Sequence, residues 1–317
     1  MRYILALTAA AGLACSAPLG AQAYDHAHPP SSSAATAAAS PSLSAEVERV
    51  RQATARYRDI DVARREGYRL FGGEGALMGE HWYHPDVVKR PLDLARPSTL
   101  QYATIGGRKV LVGVAYTCYR RPGEPVPEGF AGADDAWHTH DVTRIARAAT
   151  AERPLLRGIV DRRIRRGRMG AGEGRTLLTM VHAWVWLENP DGMFAQQHRA
   201  LPYLRAGLPA SHAEGGGEAA ALGVSLLAPD GCADEVRRTD RLAGLSRAQA
   251  RDLRRACERH AEAVRASTAA PAATLNATAE RAWTGYVAER GRILRPEQAA
   301  RMQRIMGAGM EPGGHAH

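Results

Sequence analysis

The strongest constraint on the fold is a pair of alternating apolar runs joined by two glycines. Leu100 to Ala103, a turn at Gly106 and Gly107, and Val110 to Tyr116 read as a β-hairpin, because side chains on a strand alternate with period 2 and a Gly-Gly pair supplies the turn. Thr179 to Leu187 reads as a further strand. Its core face is Val181, Ala183, Val185 and Leu187, which leaves His182, Trp184 and Trp186 on the opposite face as an aromatic wall. From Leu245 to about Met306 strand formers become scarce and the pattern turns helical. The expected class is therefore α+β, a small antiparallel sheet domain with helices followed by an α-helical hairpin.

The expected organisation follows from shifts in composition. Residues 1–23 have the three parts of a cleavable signal peptide: Arg2, an apolar run from Ile4 to Leu13, and a small-x-small site at Ala21 to Ala23. That run is too short to span a bilayer and no later window is longer, so no membrane insertion is expected. Cys15 does not sit in a well-formed lipobox. Residues 24–44 read as a disordered tether rich in Pro, Ser, Ala and Thr. After it come a histidine-rich α+β domain over 45–209, a linker over 210–240 around Gly215 to Gly217, the hairpin over 241–310 and a tail over 311–317. Within the first domain, Ser44 is the expected cap of an opening helix, and a short helix is expected from Asp59 or Asp61.

Only Lys89 and Lys109 among the 42 basic residues are lysine, a bias that a GC-rich bacterial genome would encode, and with export it places the protein in the periplasm or outside the cell. The net charge of +9 falls by one when Arg2 is removed. The run Arg162, Arg163, Arg165, Arg166 and Arg168 reads as a solvated helix face, and with no nucleic-acid motif beside it no nucleic-acid partner is expected. In an oxidising compartment Cys232 and Cys257 form the expected pair, leaving Cys118 as a small buried hydrophobe.

Histidine placement carries the chemistry. Extended backbone puts His138 and His140 on one face, and His81 and His182 stand in aromatic segments, so these four are the candidate metal ligands. His84 and His198 are the remaining histidines of the domain. Cleavage after Ala23 would expose Tyr24, Asp25 and His26, and a free amine, two amide nitrogens and the His26 imidazole make a square-planar set suited to Cu(II) or Ni(II). Met302, Met306 and Met310 recur on one helical face, either as packing or as thioether donors. Copper is the first expectation, with zinc or nickel next, and the task is buffering, sensing or delivery. The enzyme alternative makes Glu80 or Asp141 a general base beside a histidine-held metal. A third reading has the hairpin as a chaperone or interaction module with structural histidines.

Two resemblances accompany these readings. Leu245, Ser246, Arg247, Ala248, Gln249 and Leu294, Arg295, Pro296, Glu297, Gln298 are degenerate copies of a Leu-Thr-x-x-Gln motif, and this quarter of the chain resembles the Spy and CpxP family of periplasmic stress and heavy-metal-responsive proteins. The resemblance implies that each copy opens a helix of an α-hairpin, that the hairpin forms a homodimer, and a role in envelope stress or zinc and copper response. The stretch from about Ala53 to Pro209 resembles exported bacterial proteins of unknown function through Met78, Gly79, His81 and later His182, Trp184, Asn189, Pro190, Gly192, Met193 and Phe194, which implies no activity. Gly132 followed by His138-x-His140 is similar to the opening of the cupin metal motif, without its later acidic residue.

Overall fold

The computed structural model describes residues 41–309, apart from 91, 133, 134, 171 and 173. The signal peptide, most of the tether, His26, Met310 and the tail therefore lie outside the described residues.

The chain opens with helix α1 (Pro41–Thr54), which starts ahead of the expected Ser44 cap and buries Leu43, Val47 and Val50. Apolar spacing at Leu43, Val47 and Val50 extends the helix into what composition alone assigned to the tether. Helix α2 (Ile60–Arg65) begins where expected, with the Asp59 carboxylate accepting from the Asp61 amide.

The sheet is assembled from β1 (Arg69–Gly75), β2 (Gly79–Tyr83), β3 (Thr99–Ile105), β4 (Arg108–Arg120), β5 (His138–Asp141) and β6 (Leu177–Ala183). Its order is β1-β2-β3-β4-β6-β5, and every neighbouring pair is antiparallel. Gly106 and Gly107 turn the β3–β4 hairpin with φ of 57° and 74°, the paired positive angles that a two-residue turn with the right twist requires. At Gly79, where φ is 66°, a Cβ would lie 2.4 Å from the Tyr102 carbonyl oxygen, so only glycine lets β2 settle against β3 at this point.

One sheet face carries Trp82, Leu100, Val114, Tyr116, Val181 and Ala183 into a core shared with α1, Tyr57, Tyr68, Phe130 and Phe194. The other face carries the histidines. It is roofed by α3 (Val142–Ala149) and by the last helix, α10 (Pro296–Gly309), through a cluster of Val142, Ile145, Leu178 and Ala308. Helix α4 (Pro154–Arg165) holds much of the arginine run, with its apolar Val160 and Ile164 turned inward.

Residues 210–240 are not a linker. After the short α5 (Leu201–Arg205) they form α6 (Glu218–Ser225) and α7 (Gly231–Ala243), with Ala220, Ala221, Leu222 and Val224 buried. Small residues serve close packing here: a Cβ on Gly223 would come within 2.0 Å of the Ala279 carbonyl oxygen on the facing helix. In place of the two-helix hairpin expected over 241–310 there are three helices: α8 (Arg247–Arg265) and α9 (Ala272–Ile293) pack together with their apolar side covered by α6, in a core that also takes in Leu77, while α10, which the second motif copy opens, lies over the sheet instead. Cys232 on α7 and Cys257 on α8 are joined by a disulfide, as their pairing in the sequence suggested. Among the described residues no helix is long and apolar enough to cross a membrane.

Candidate functional site

Sheet register sets the histidines in place. His81 on β2 stands opposite Gln101 on β3, which stands opposite Gly113 on β4. One step along, Ala115 on β4 stands opposite His182 on β6, and β5 adds His138 opposite Met180 and His140 opposite Leu178. Directly paired residues share a face, so all four histidines project to one side. Two strands separate β2 from β6, a distance of about 14 Å across a flat sheet. Even so, the Nε2 atoms of His81 and His182 lie 3.3 Å apart. Gly113 and Ala115 leave the floor between them low enough for the two side chains to lean together.

The His182 ring then meets His138 at 5.0 Å between ring centres, and His138 meets His140 at 5.2 Å; His81 and His182 are at 5.3 Å. These spacings have a chemical meaning. Nitrogens about 2.05 Å from a tetrahedral ion are about 3.3 Å from each other, with ring centres about 5 Å apart. The His81–His182 pair already has this separation. Among the described residues no three donors yet converge on one point, so an ion would draw His138, and His140 behind it, inward by side-chain rotation.

Protonation favours the same use. Burial holds the His81 ring down to about 4 and the His182 ring to about 3, with the neighbouring imidazoles adding to the effect. His138 is also held well below its ordinary value, by burial first and then by His182 and His140. The rings are therefore neutral at pH 7, the state in which imidazole ligates a metal. His182 donates from Nδ1 to the Gln196 carbonyl at 2.8 Å, which leaves its Nε2 lone pair facing His81. The segment that includes Asn189 to Phe194 supports that carbonyl: Asn189 donates to the Gln197 carbonyl at 2.8 Å, and the Trp184 indole donates to Ala195 at 2.7 Å. Among the described residues the buried His138 Nε2 has no hydrogen-bond partner.

The two carboxylates considered as general bases are engaged elsewhere. Glu80 alternates to the opposite sheet face, where it accepts from the Trp82 indole at 2.9 Å and pairs with Lys109 at 2.8 Å. Asp141 caps α3 by accepting from the Arg144 amide and pairs with Arg175 at 2.6 Å. Both are consequences of period 2, since each follows or precedes a cluster histidine by one residue.

The aromatic wall is also smaller than expected. Strand β6 ends at Ala183, and Trp186 turns away to donate to Thr54 on α1 at 3.0 Å, so Trp184 alone stands beside His182, with ring centres 5.9 Å apart. His84 is structural, bonded to the Glu66 carbonyl at 3.0 Å while its Nδ1 accepts from the Asp86 amide. Cys118 sits half-buried on β4, facing away from the histidines, and burial pushes its thiol up. Met302 and Met306 lie partly buried on α10.

Two further buried polar side chains lie in this region, of which the sequence reading named only His198. Gln101 is fully buried, and neither its amide nitrogen nor its oxygen has a hydrogen-bond partner among the described residues. His198 is equally buried against Trp184, and burial, partly offset by backbone hydrogen bonding, lowers its pKa to about 4. A glutamine in the middle of an otherwise apolar strand, Leu100-Gln101-Tyr102, was the available clue to the first.

In the helical part the two motif copies do open α8 and α10. Ser246 and Gln249 form a reciprocal cap, and the two motif glutamines bond to each other, Gln249 Nε2 to Gln298 Oε1 at 2.7 Å and Gln298 Nε2 to Gln249 Oε1 at 3.1 Å. No family model matches the chain, and no curated protein or solved structure matches it either.

Proposed function

We propose that this protein is an exported transition-metal-binding protein that holds a copper ion, with zinc or nickel as alternatives, through His81, His182 and His138, with His140 behind them. The observation that carries the reading is the His81–His182 separation of 3.3 Å, the spacing of two ligands on one tetrahedral ion, next to a buried His138 nitrogen without a partner. No carboxylate is among the groups that shift His81, His138 and His182. An all-imidazole set in a buried site adds no negative charge, so it suits monovalent copper best and tolerates a divalent ion where another anion joins it. The Cys232–Cys257 disulfide supports an oxidising compartment. Burial of the rings favours buffering or delivery.

The test is the metal content of purified protein lacking Tyr24 to His28, so that no amino-terminal copper site contributes. One equivalent of copper or zinc per chain is expected, and His81→Ala combined with His182→Ala should abolish it while the circular dichroism spectrum is kept. Equal metal content in the two proteins would overturn the proposal.

A further inference from the structure

We infer that, with a divalent ion bound, the metal centre carries one additional small anionic ligand, held by the Gln101 amide and reached through a cleft beside His81. This rests on the metal-site reading above and specifies what completes it.

Three observations point the same way. Gln101 lies between His81 and Gly113 in the register of the sheet, and its side chain extends over β4, since its Oε1 would be 3.0 Å from a Cβ built on Gly113. The amide thus occupies the floor between β2, which carries His81, and β6, which carries His182. It is fully buried, and both its ends lack a hydrogen-bond partner among the described residues, in a protein interior where such groups are nearly always satisfied. A ligand that accepts from the amide NH2 and sits on the ion satisfies its nitrogen end.

Charge supplies the second argument. Neutral imidazoles leave a divalent ion uncompensated in a buried site, and a small anion such as hydroxide offsets that charge where no carboxylate does. The third is access. A cleft open to solvent runs between the glycine-rich β1 and α7 and has His81 in its wall together with Gly73, Met78, Arg205, Asp234 and Arg238. Charged groups of both signs line it, so it admits small ions of either charge.

Azide added to Co(II)-loaded protein is a direct probe, because Co(II) reports its coordination in visible absorption. Wild type should show a saturable spectral change, and Gln101→Leu should keep one Co(II) per chain while binding azide at least about tenfold more weakly, the loss of one hydrogen bond to a charged group. Gln101→Glu, which brings its own negative charge, should keep Co(II) and lose the azide response, and it decides the matter if the leucine variant does not fold. Co(II) bound without any azide response in wild type, or equal azide affinity in the Gln101 variants, overturns this inference and leaves the metal site standing. Absence of Co(II) binding in wild type overturns this inference, while the metal site itself stands or falls on the copper and zinc content of the purified protein.

Discussion

Replacing His198 by leucine isolates the energetic cost of a buried imidazole without touching the proposed ligands. The ring is fully buried against Trp184. Burial lowers its pKa from 6.5 to about 4. The sign follows from proton counting. The unfolded chain takes up a proton as the pH falls through 6.5, whereas the folded chain does not until about 4, so acid favours the unfolded state and this contribution to stability is lost over that window. Between about pH 7.5 and about pH 5 the loss from this one residue is about 2 kcal/mol, since about 97% of unfolded rings and only about a tenth of folded ones are then protonated. Urea unfolding of the metal-free protein at both pH values, with the disulfide intact, measures it. Wild type should lose about 2 kcal/mol more than His198→Leu on going to the lower pH, and near neutrality the variant should stay within about 1.5 kcal/mol of wild type because the volumes are close. Identical pH dependence in the two proteins would mean that the ring titrates as if exposed, and the burial argument, which also sets the neutrality of His81 and His182, would fail with it.

Two further outcomes test the helical half. Cys232→Ser with Cys257→Ser should lower stability by about 3 to 4 kcal/mol in urea, the chain-entropy value for a loop of this length, and an unchanged midpoint would show that the bridge does not constrain the unfolded chain. In a double-mutant cycle of Gln249→Leu and Gln298→Leu, the mutual hydrogen bonds predict a coupling of about 1 kcal/mol, whereas additive effects would mean the two helix starts are independent.

Much of the local structure was legible in the sequence because it depends on short-range chemistry. Gly106 and Gly107 specify their turn through the angles only glycine adopts readily, Ser246 and Gln249 specify a helix start through their reach to nearby amides, and period 2 alone places His138 and His140 together. The linker reading of 210–240 failed for a related reason. Glycine and alanine raise chain flexibility in isolation but also allow helices to approach closely, and composition does not distinguish the two uses until Gly223 is seen against Ala279. The same holds for residues 41–44, where a tether-like composition conceals the first turn of α1.

The sequence by itself determined which side of each strand carries a histidine and therefore which residues could share a site. Only the tertiary structure decided that they cluster. His81 and His182 are 101 residues apart and meet because β3 and β4 lie between their strands with Gly113 and Ala115 as the low floor, and because α3 and α10 close over that face. Strand order and the return of a distant helix are set by the summed burial of the whole chain, a long-range balance that no local pattern encodes, and the same balance turned Trp186 away from the histidines.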